Sequence, residues 1–336
     1  MKKIINDPFQ VVDETISGIL KAYPYHLRMA KESSRALVRA DAPVKGKVAI
    51  CTGGGSGHIP VFLGYVGPGL LDGVSIGNVF SSPSNDDMLA ATREVNGGAG
   101  VLYLFGNYSG DIMNFEMAAE MAAMEDIPVQ LSIASDDIAS AKREQKKRRR
   151  GIAGIFFAYK AAGAKADTMA SLDEVKRVTD SVIDNTCTLG VALSPCTIPA
   201  AGKPTFTIAE DEMELGMGIH GEPGIERTKL KQADEIAEII TGKVISDLPF
   251  QSGDEVAVLV NGLGATPAEE LFILYNKIHS ILLDHRIKIY HAYIGEYATS
   301  MEMGGASLSL LRLNDEFKKL LDAPAFSPFL PQWQRL

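Results

Sequence analysis

The stretch GVLYLFGNYSGDIMNFEMAAEMAAM, residues 100–124, predicts the fold class of this 336-residue chain. Gly100–Phe105 is an apolar run of strand length, and Ile112–Met124 is a run rich in Ala, Met and Glu that favours a helix. The glycine-containing segment between them is typical of a loop. A strand, a loop and a helix in this order form one βα unit of an α/β protein.

The same pattern recurs along the chain. Leu172–Ile183 is preceded by Ser171, which stands in capping-box spacing with Glu174, and the segment therefore predicts a further helix. Thr266-Pro267-Ala268-Glu269 predicts another helix start, with Thr as the cap and Pro in the first helical position. Further strands are predicted at Lys47–Cys51, Val129–Ile133, Leu189–Leu193 and Glu255–Val260. This alternation predicts an α/β fold with two α/β domains, mainly parallel or mixed sheets, and a ligand site on loops at the carboxyl ends of strands.

The length of the chain favours about two domains. Prolines and glycine cluster at residues 195–204, after the predicted helix, which places the boundary between a domain of residues 1–190 and a domain of residues 191–336. The tail Ala323–Pro331 contains three prolines, so it is not expected to be helical and is predicted to pack irregularly or to extend outward.

Composition excludes several classes of protein. Lys and Arg number 33 against 42 Asp and Glu, a net charge of −9 that disfavours direct binding to nucleic acid or to an anionic membrane. No apolar run is long enough to span a membrane, and no signal peptide is expected. The three cysteines are too few and odd in number for a disulfide framework, so a cytoplasmic protein is expected.

The first candidate for chemistry is the glycine-rich segment Gly53–Pro60, which directly follows a predicted strand. Glycines let backbone N–H groups approach a ligand, although a tight turn without function is the alternative. Dinucleotide and hydrolase motifs do not fit, because His58 stands where those patterns require glycine, and the Walker Lys-Ser/Thr pair is absent. His58 is therefore the informative residue of the segment.

The second candidate is Asp111, which stands between a predicted strand and the helix that follows it. It has two compatible interpretations. As the N-cap of the helix it would have a structural role. As a carboxylate at the edge of the sheet it could act as a general base or accept a hydrogen bond from a hydroxyl group.

The third candidate is His220, in the glycine-rich segment Gly216–Gly224, which has neither helical nor strand periodicity. A histidine of the core usually lies among apolar side chains, whereas this one is flanked by glycines, which favours an imidazole that faces a ligand. Neutral imidazole can act as a nucleophile or as a base. A metal site built from His58, Asp111 and His220 is the alternative, but no short ligand spacing supports it, and no metal or cofactor is predicted.

A basic run at residues 142–150 places seven cations in nine residues of an acidic protein. Such a run is usually a solvated helical face or a mobile loop. It could instead dock an acidic protein partner. Nucleic-acid binding is disfavoured, because no aromatic residues interleave the cations.

Three motifs together resemble one family: GGGSGH at 53–58, NYSGDIMNFE at 107–116 and GIHGEPG at 218–224. They are similar to the K subunit of dihydroxyacetone kinase, and the resemblance extends from end to end of the chain. In that family the K subunit holds the ketose, while a separate L subunit carries the nucleotide, so the resemblance implies no cofactor for this chain. It also implies a homodimer.

The resemblance assigns roles to the candidate residues. It implies that His220 attacks the carbonyl of dihydroxyacetone, or of a related short ketose, to form a covalent hemiaminal. It implies that Gly55, Ser56, Gly57 and His58 line the site and that Asp111 faces a terminal hydroxyl of the ketose. His220, His58 and Asp111 are thus the predicted catalytic residues, with Asp111 or His58 taking the hydroxyl proton during phosphoryl transfer.

Two departures from the family pattern bear on activity. Family kinases resemble GGGSGHEP and carry Lys before the Asn-Tyr pair, whereas this chain has Ile59 and Gly106 at these positions. Loss of the Lys ammonium weakens the stabilisation of charge during phosphoryl transfer. The sequence therefore favours a ketose sensor, similar to the family's coactivator, whose partner is a transcriptional regulator of the dha operon. The alternative is an active subunit that passes phosphate from an L subunit to the ketose.

Overall fold

The structure is a computed structural model that describes residues 2–332. This part of the chain contains two six-stranded sheets, and helices lie between many of their strands along the sequence. Both sheets contain parallel and antiparallel pairs, so the predicted α/β class with mixed sheets is confirmed. None of the helices in residues 2–332 combines the length and the apolar character needed to cross a membrane.

The helices are α1 (Val11–Ala22), α2 (Asn85–Val95), α3 (Ser109–Ala123), α4 (Ile155–Ala166), α5 (Leu172–Asp184), α6 (Ala233–Asp247), α7 (Ala268–Asp284) and α8 (Asp315–Asp322). The strands are β1 (Leu27–Met29), β2 (Ala36–Arg39), β3 (Ala49–Ser56), β4 (Gly73–Val79), β5 (Val101–Gly106), β6 (Val129–Ala134), β7 (Thr186–Ser194), β8 (Thr197–Ile198), β9 (Lys203–Pro204), β10 (Glu212–Leu215), β11 (Glu226–Lys229), β12 (Glu255–Gly262), β13 (Lys288–Gly295), β14 (Gly304–Arg312), β15 (Ala325–Ser327) and β16 (Leu330–Gln332).

Contacts divide the described chain into two compact units. The first contains residues 2–134, 157–181 and 319–332, and the second contains residues 135–156 and 182–318. This division differs from the predicted boundary between residues 190 and 191, which falls inside β7. The chain passes from one unit to the other within α4, α5 and α8, and the interior of a helix carries none of the proline and glycine signals that mark a linker.

The sheet of the first unit has the strand order β1-β2-β4-β3-β5-β6. Its strands β4, β3, β5 and β6 run parallel to one another, while β1 and β2 pair antiparallel. All residues of β5 are buried, as expected for a strand that is covered on both faces. The ring of Phe105 on β5 meets that of Phe115 on α3 edge-on, with centroids 4.6 Å apart. The opening stretch of sequence thus forms the predicted βα unit.

The sheet of the second unit has the order β11-β10-β7-β14-β12-β13. Within it β12 and β13 are parallel, and the other pairs are antiparallel. Val258 and Val260 on β12 belong to a buried cluster with Ile240 on α6 and Ile278 on α7. Each such side chain contributes roughly 1.5–3 kcal/mol through burial, so this apolar layer fixes the helices against the sheet.

The two predicted helix starts have different outcomes. At α5, the hydroxyl of Ser171 accepts a hydrogen bond from the backbone N–H of Glu174 at 3.4 Å, as the capping pattern predicts. At α7, the cap is Pro267, and the prediction that Thr266 caps the helix is wrong. The Thr266 hydroxyl instead donates to the carbonyl of Gly305 at 2.6 Å and accepts from its N–H at 2.8 Å. The Thr266 hydroxyl thus forms two hydrogen bonds with the backbone of β14 and does not cap α7.

The prediction of an irregular C-terminal tail is also wrong. β15 and β16 form an antiparallel hairpin that packs within the first unit. The backbone N–H of Phe326 donates to the carbonyl of Pro68 at 2.9 Å, and the Ser327 hydroxyl donates to the carbonyl of Gly64 at 2.6 Å. The prolines exclude a helix, as expected, but hydrogen bonds to distant residues order the segment.

The basic run forms a short 3-10 helix, Arg143–Arg148, followed by two arginines that point into the protein. Arg149 is fully buried and binds both carboxylate oxygens of Asp247, at 2.5 and 2.8 Å. Arg150 binds Asp137, with 16% of its side chain exposed. The interpretation of the whole run as a solvated face or mobile loop is therefore wrong, because its last two cations pair with a partly buried carboxylate, Asp247, and a buried one, Asp137.

We expect Arg149→Met to lower the free energy of unfolding by about 1.5–3 kcal/mol, because the change removes two hydrogen bonds from a fully buried guanidinium to the carboxylate of Asp247. Arg148→Met is the matched control: Arg148 is exposed, and its loss should change stability by less than about 0.5 kcal/mol. Urea denaturation followed by circular dichroism measures both. Equal effects of the two substitutions would contradict a structural role for Arg149.

Candidate functional site

The glycine-rich segment of the first unit continues β3 rather than forming a loop after it, since β3 extends to Ser56. The sequence prediction ended this strand at Cys51. A Cβ atom on Gly53 would lie 2.4 Å from the Ser75 hydroxyl, and one on Gly54 would lie 2.3 Å from the ring of Phe62. The glycines are thus required by close packing, and the turn begins at Gly57, whose φ is +102°.

His58 follows this turn and is almost fully buried. Its ring stacks on that of Phe80, with centroids 4.8 Å apart and planes inclined by 17°, and the ring of Phe62 lies edge-on at 6.0 Å. A cavity of about 10 Å³, near the size of one water molecule, is lined by residues 54–59. Because Phe80 covers a face of the imidazole, its nitrogen edge is the part able to bind a polar group.

Asp111 lies in the first turn of α3 and is buried. The cap of this helix is Tyr108, so the interpretation of Asp111 as the N-cap is wrong. Its carboxylate instead lies near the amino end of a 15-residue helix, where the backbone N–H groups favour negative charge. β3 and β5 are parallel neighbours, and the predicted residues lie at the carboxyl ends of these two strands: Gly55 and Ser56 end β3, Gly57 and His58 follow it, and Asp111 follows β5.

His220 lies in the second unit, in the segment between β10 and β11. About a quarter of its side chain is exposed (24%). Its Nδ1 lies 3.0 Å from Oε1 of Glu222, and its backbone N–H donates to Oε2 of the same carboxylate at 2.9 Å. A carboxylate only accepts, so Nδ1 carries a proton, and in the neutral imidazole the lone pair then lies on Nε2. One glutamate therefore fixes both the backbone and the tautomer of His220.

The Glu222 carboxyl is in the ionised form that accepts these hydrogen bonds. Burial raises the pKa of the Glu222 carboxyl, but the hydrogen bond and the charge of His220, together with backbone N–H donors, lower it to about 2. Glu222 is therefore ionised at neutral pH. It is the functional residue that sequence reasoning missed, and its signal was a carboxylate two residues from a histidine in a segment otherwise rich in glycine.

Backbone hydrogen bonds hold the segment around His220. The N–H of Gly216 donates to the carbonyl of Gly190 at 2.7 Å, which attaches the segment to β7. The N–H of Gly221 donates to the carbonyl of Gly218 at 2.9 Å, and Gly221 has a φ of +87°. The Ser300 hydroxyl donates a short hydrogen bond to the carbonyl of Ile219. The imidazole is thus held by a built turn and not by a mobile loop.

The predicted residues fall into two groups by unit. Gly55, Ser56, Gly57, His58 and Asp111 belong to the first unit, and His220 belongs to the second. Their joint assignment to one ketose stays a prediction. Within residues 2–332, no three His, Cys, Asp or Glu side chains converge in a way that could hold a metal ion.

A wider groove of about 540 Å³ also lies in the first unit. Its lining includes His26, Asp41, Gly67 and Phe326, and none of the predicted site residues. The size of this groove alone does not make it a site, and the Asp41 carboxylate in its lining accepts two hydrogen bonds from Arg39.

The sequence of the chain matches the Dak1 domain family over residues 17–329, a range that includes all the candidate site residues. The dihydroxyacetone-binding subunit DhaK of PTS-dependent dihydroxyacetone kinase 2 from Listeria innocua is 43% identical over 329 residues, which cover 98% of this chain and 99% of that protein.

Two solved structures share the fold. The dihydroxyacetone kinase of C. freundii superposes with a TM-score of 0.89 at 33% identity, over 98% of this chain and 60% of that one. The dihydroxyacetone kinase operon co-activator Dha-DhaQ superposes with a TM-score of 0.87 at 33% identity, over 93% of this chain and 96% of that one. Together with the family match, these similarities show that the chain belongs to the Dak1 domain family and is a homologue of the DhaK subunits of dihydroxyacetone kinases.

Proposed function

We propose that this chain binds dihydroxyacetone, or a related short ketose, covalently on His220 and presents it to a phosphoryl-donating L subunit. The observation that carries the proposal is the hydrogen bond from Nδ1 of His220 to Glu222, at 3.0 Å. It leaves the lone pair on Nε2, the atom that must attack a carbonyl carbon. The similarity to a PTS-dependent DhaK subunit over nearly the full length of both chains supports the same function.

The bond-forming step is balanced without a cofactor. Nε2 of His220 forms a bond to the carbonyl carbon of the ketose, and the π electrons of the carbonyl move to its oxygen. The Nδ1 proton passes toward Glu222, whose hydrogen bond already orients it. The ketose oxygen takes up one proton from water, and water receives the proton that leaves Nδ1 through Glu222, so no net proton is gained and the product is a neutral hemiaminal. Reversal of the same steps releases the ketose.

This chemistry selects the ligand by its reactive group. Glycerol has the same carbon skeleton as dihydroxyacetone but lacks a carbonyl, so it cannot form the bond. Discrimination by one methylene, or by an added hydroxyl in an apolar pocket, yields limited ratios when a pocket only binds its ligand. A covalent step that one ligand can undergo and the other cannot removes this limit.

Asp111 and His58 are the proposed acceptors of the ketose hydroxyl proton during phosphoryl transfer. The amino end of α3 favours the ionised form of Asp111, which is the form able to accept a proton. The burial of His58 against Phe80 orients its ring. Phosphoryl transfer depends mainly on such positioning and on stabilisation of charge.

A second candidate function is a ketose sensor that acts with a transcriptional regulator. Ile59 and Gly106 favour it, because they replace the Glu and the Lys of the kinase pattern. Gly106 is buried at the end of β5, one strand from the segment that carries His58. The similarity to the co-activator Dha-DhaQ is compatible with this function. The more extensive similarity to a DhaK subunit favours the kinase subunit.

We expect dihydroxyacetone labelled with carbon-13 at its carbonyl carbon to lose its carbonyl resonance and gain a tetrahedral-carbon resonance when bound. His220→Ala should abolish the new resonance, because no nucleophile remains. His285→Ala, at an exposed histidine after α7, is the control and should leave the signal unchanged. A tetrahedral resonance that persists in His220→Ala would contradict the proposal.

We expect the chain to yield ketose phosphate when mixed with dihydroxyacetone and a phosphorylated L subunit. Asp111→Asn should lower this rate about 10²–10⁴-fold, since a general base is lost, while the covalent adduct persists. The control is Asp86→Asn, at an exposed aspartate in the first turn of α2. An unchanged rate in Asp111→Asn would exclude it as the base.

The same assay separates the two candidate functions through Gly106→Lys. If the chain is a weak kinase subunit, the added ammonium should raise the rate, because it restores charge stabilisation. If the wild type and Gly106→Lys both form the adduct and neither yields ketose phosphate, the sensor replaces the kinase subunit as the conclusion.

A further inference from the structure

We propose that Arg150 is a positioning residue for His220 and acts through Glu222. The inference rests on the proposed function of His220 as a nucleophile. It gives a role to Arg150, the last residue of the basic run at residues 142–150, which has no role in the proposed function as stated above. All the residues involved belong to the second unit.

Arg150 is anchored on one side by a buried carboxylate. Its Nε donates to Oδ2 of Asp137 at 2.8 Å, and its Nη2 lies 2.7 Å from the same oxygen. Only 2% of the Asp137 side chain is exposed. The backbone N–H of Arg150 donates to the Ser140 hydroxyl at 3.0 Å, and its carbonyl accepts from the N–H of Asp137 at 3.1 Å. The guanidinium of Arg150 and its backbone are therefore both held by hydrogen bonds.

On its other side, Arg150 faces the segment that carries His220. Its Nη2 donates to the carbonyl of Gly216 at 3.2 Å, and its Nη1 lies 4.0 Å from Oε2 of Glu222. That oxygen also accepts the backbone N–H of His220, at 2.9 Å. Oε2 is thus held from two directions, which leaves Oε1 directed at Nδ1 of the imidazole.

Gly218 makes this approach possible. A Cβ atom on Gly218 would lie 2.1 Å from Oε2 of Glu222 and 2.5 Å from Nη1 of Arg150. A side chain at this position would have to displace the guanidinium or the carboxylate from the other. Glycine therefore lets Arg150 and Glu222 approach each other across the segment, which a purely structural role of Arg150 on Asp137 would not require.

The charges give the arrangement its chemical consequence. A carboxylate whose nearest charged neighbour is an imidazole stabilises the imidazolium, which has no lone pair and cannot attack a carbonyl. Arg150 shares the negative charge of Glu222 and so reduces this effect, while the hydrogen bond to Nδ1 is kept. The guanidinium is suited to the task because it remains charged and directs several N–H groups from one plane.

The first test uses the ligand-free protein labelled with nitrogen-15 in its six histidines, with His220→Ala to assign the ring of interest. We expect the ring nitrogens of wild-type His220 to show the Nδ1–H tautomer. In Arg150→Met they should shift toward a mixture of tautomers or toward the imidazolium. Arg148→Met removes an exposed arginine from the same run and should leave them unchanged.

The second test measures the fraction of protein that carries labelled dihydroxyacetone. Arg150→Met should weaken adduct formation roughly tenfold, which corresponds to about 1.4 kcal/mol. Glu222→Gln should weaken it at least as much. In the double variant, Arg150→Met should add no further loss, because Arg150 acts through the carboxylate that is already gone.

Arg150→Lys covers the case in which Arg150→Met does not fold. A lysine can still pair with Asp137, but a single ammonium cannot also hold Gly216 and Glu222, so the same spectral shift is expected in a smaller degree. Unchanged ring resonances in the folded Arg150 variant, or additive losses in the double variant, would overturn the proposal. If the wild type forms no adduct, the proposed function of His220 fails, whereas the ring resonances still decide the role of Arg150.

Discussion

Backbone packing closer than a Cβ atom permits is the constraint on which both candidate segments depend. In the first unit, Gly53 and Gly54 let β3 run against Ser75 and Phe62, which sets the point where the chain turns to His58. In the second unit, a Cβ atom on Gly224 would lie 2.2 Å from the carbonyl oxygen of Leu215, so the segment of His220 folds back directly on β10. A side chain at Gly53 or Gly54 would shift the segment that carries His58, and one at Gly224 would shift the segment that carries His220. Glycine therefore determines where both imidazoles lie, although it contributes no functional group.

Much of the fold could be predicted from the sequence because hydrophobic periodicity is a local property. The apolar run before Asn107 and the Ala- and Met-rich run after Asp111 become β5 and α3. The candidate histidines could be found because glycines set them apart from core positions. Long-range pairing could not be predicted: the partner of Arg149 lies 98 residues away, and that of Thr266 lies 39 residues away. Glu222 was overlooked because only the folded turn brings its carboxylate onto Nδ1.

The scaffold alone does not separate the two candidate functions. A kinase and an operon co-activator superpose on this chain with nearly equal TM-scores, 0.89 and 0.87. What distinguishes them is therefore not the backbone that they share with this chain, and Ile59 and Gly106 are where this chain departs from the kinase pattern. The proposed role of the His220–Glu222 pair is compatible with either function, since a sensor and a substrate carrier both need to distinguish a ketose from a polyol. The homodimer and the identity of the protein partner stay predictions.

Each unit is built from separate segments of the chain, so the order of synthesis determines when each unit has all the segments that it needs to fold. The second unit has all its segments once residue 318 has emerged, whereas the first also needs the hairpin of β15 and β16. The unit that begins first is thus completed last. Until then the surfaces around Gly64 and Pro68, which the hairpin will cover, are exposed in the nascent chain. Domains usually fold from the amino terminus onward during synthesis, whereas here the unit that contains the amino-terminal segment is the last to have all its segments.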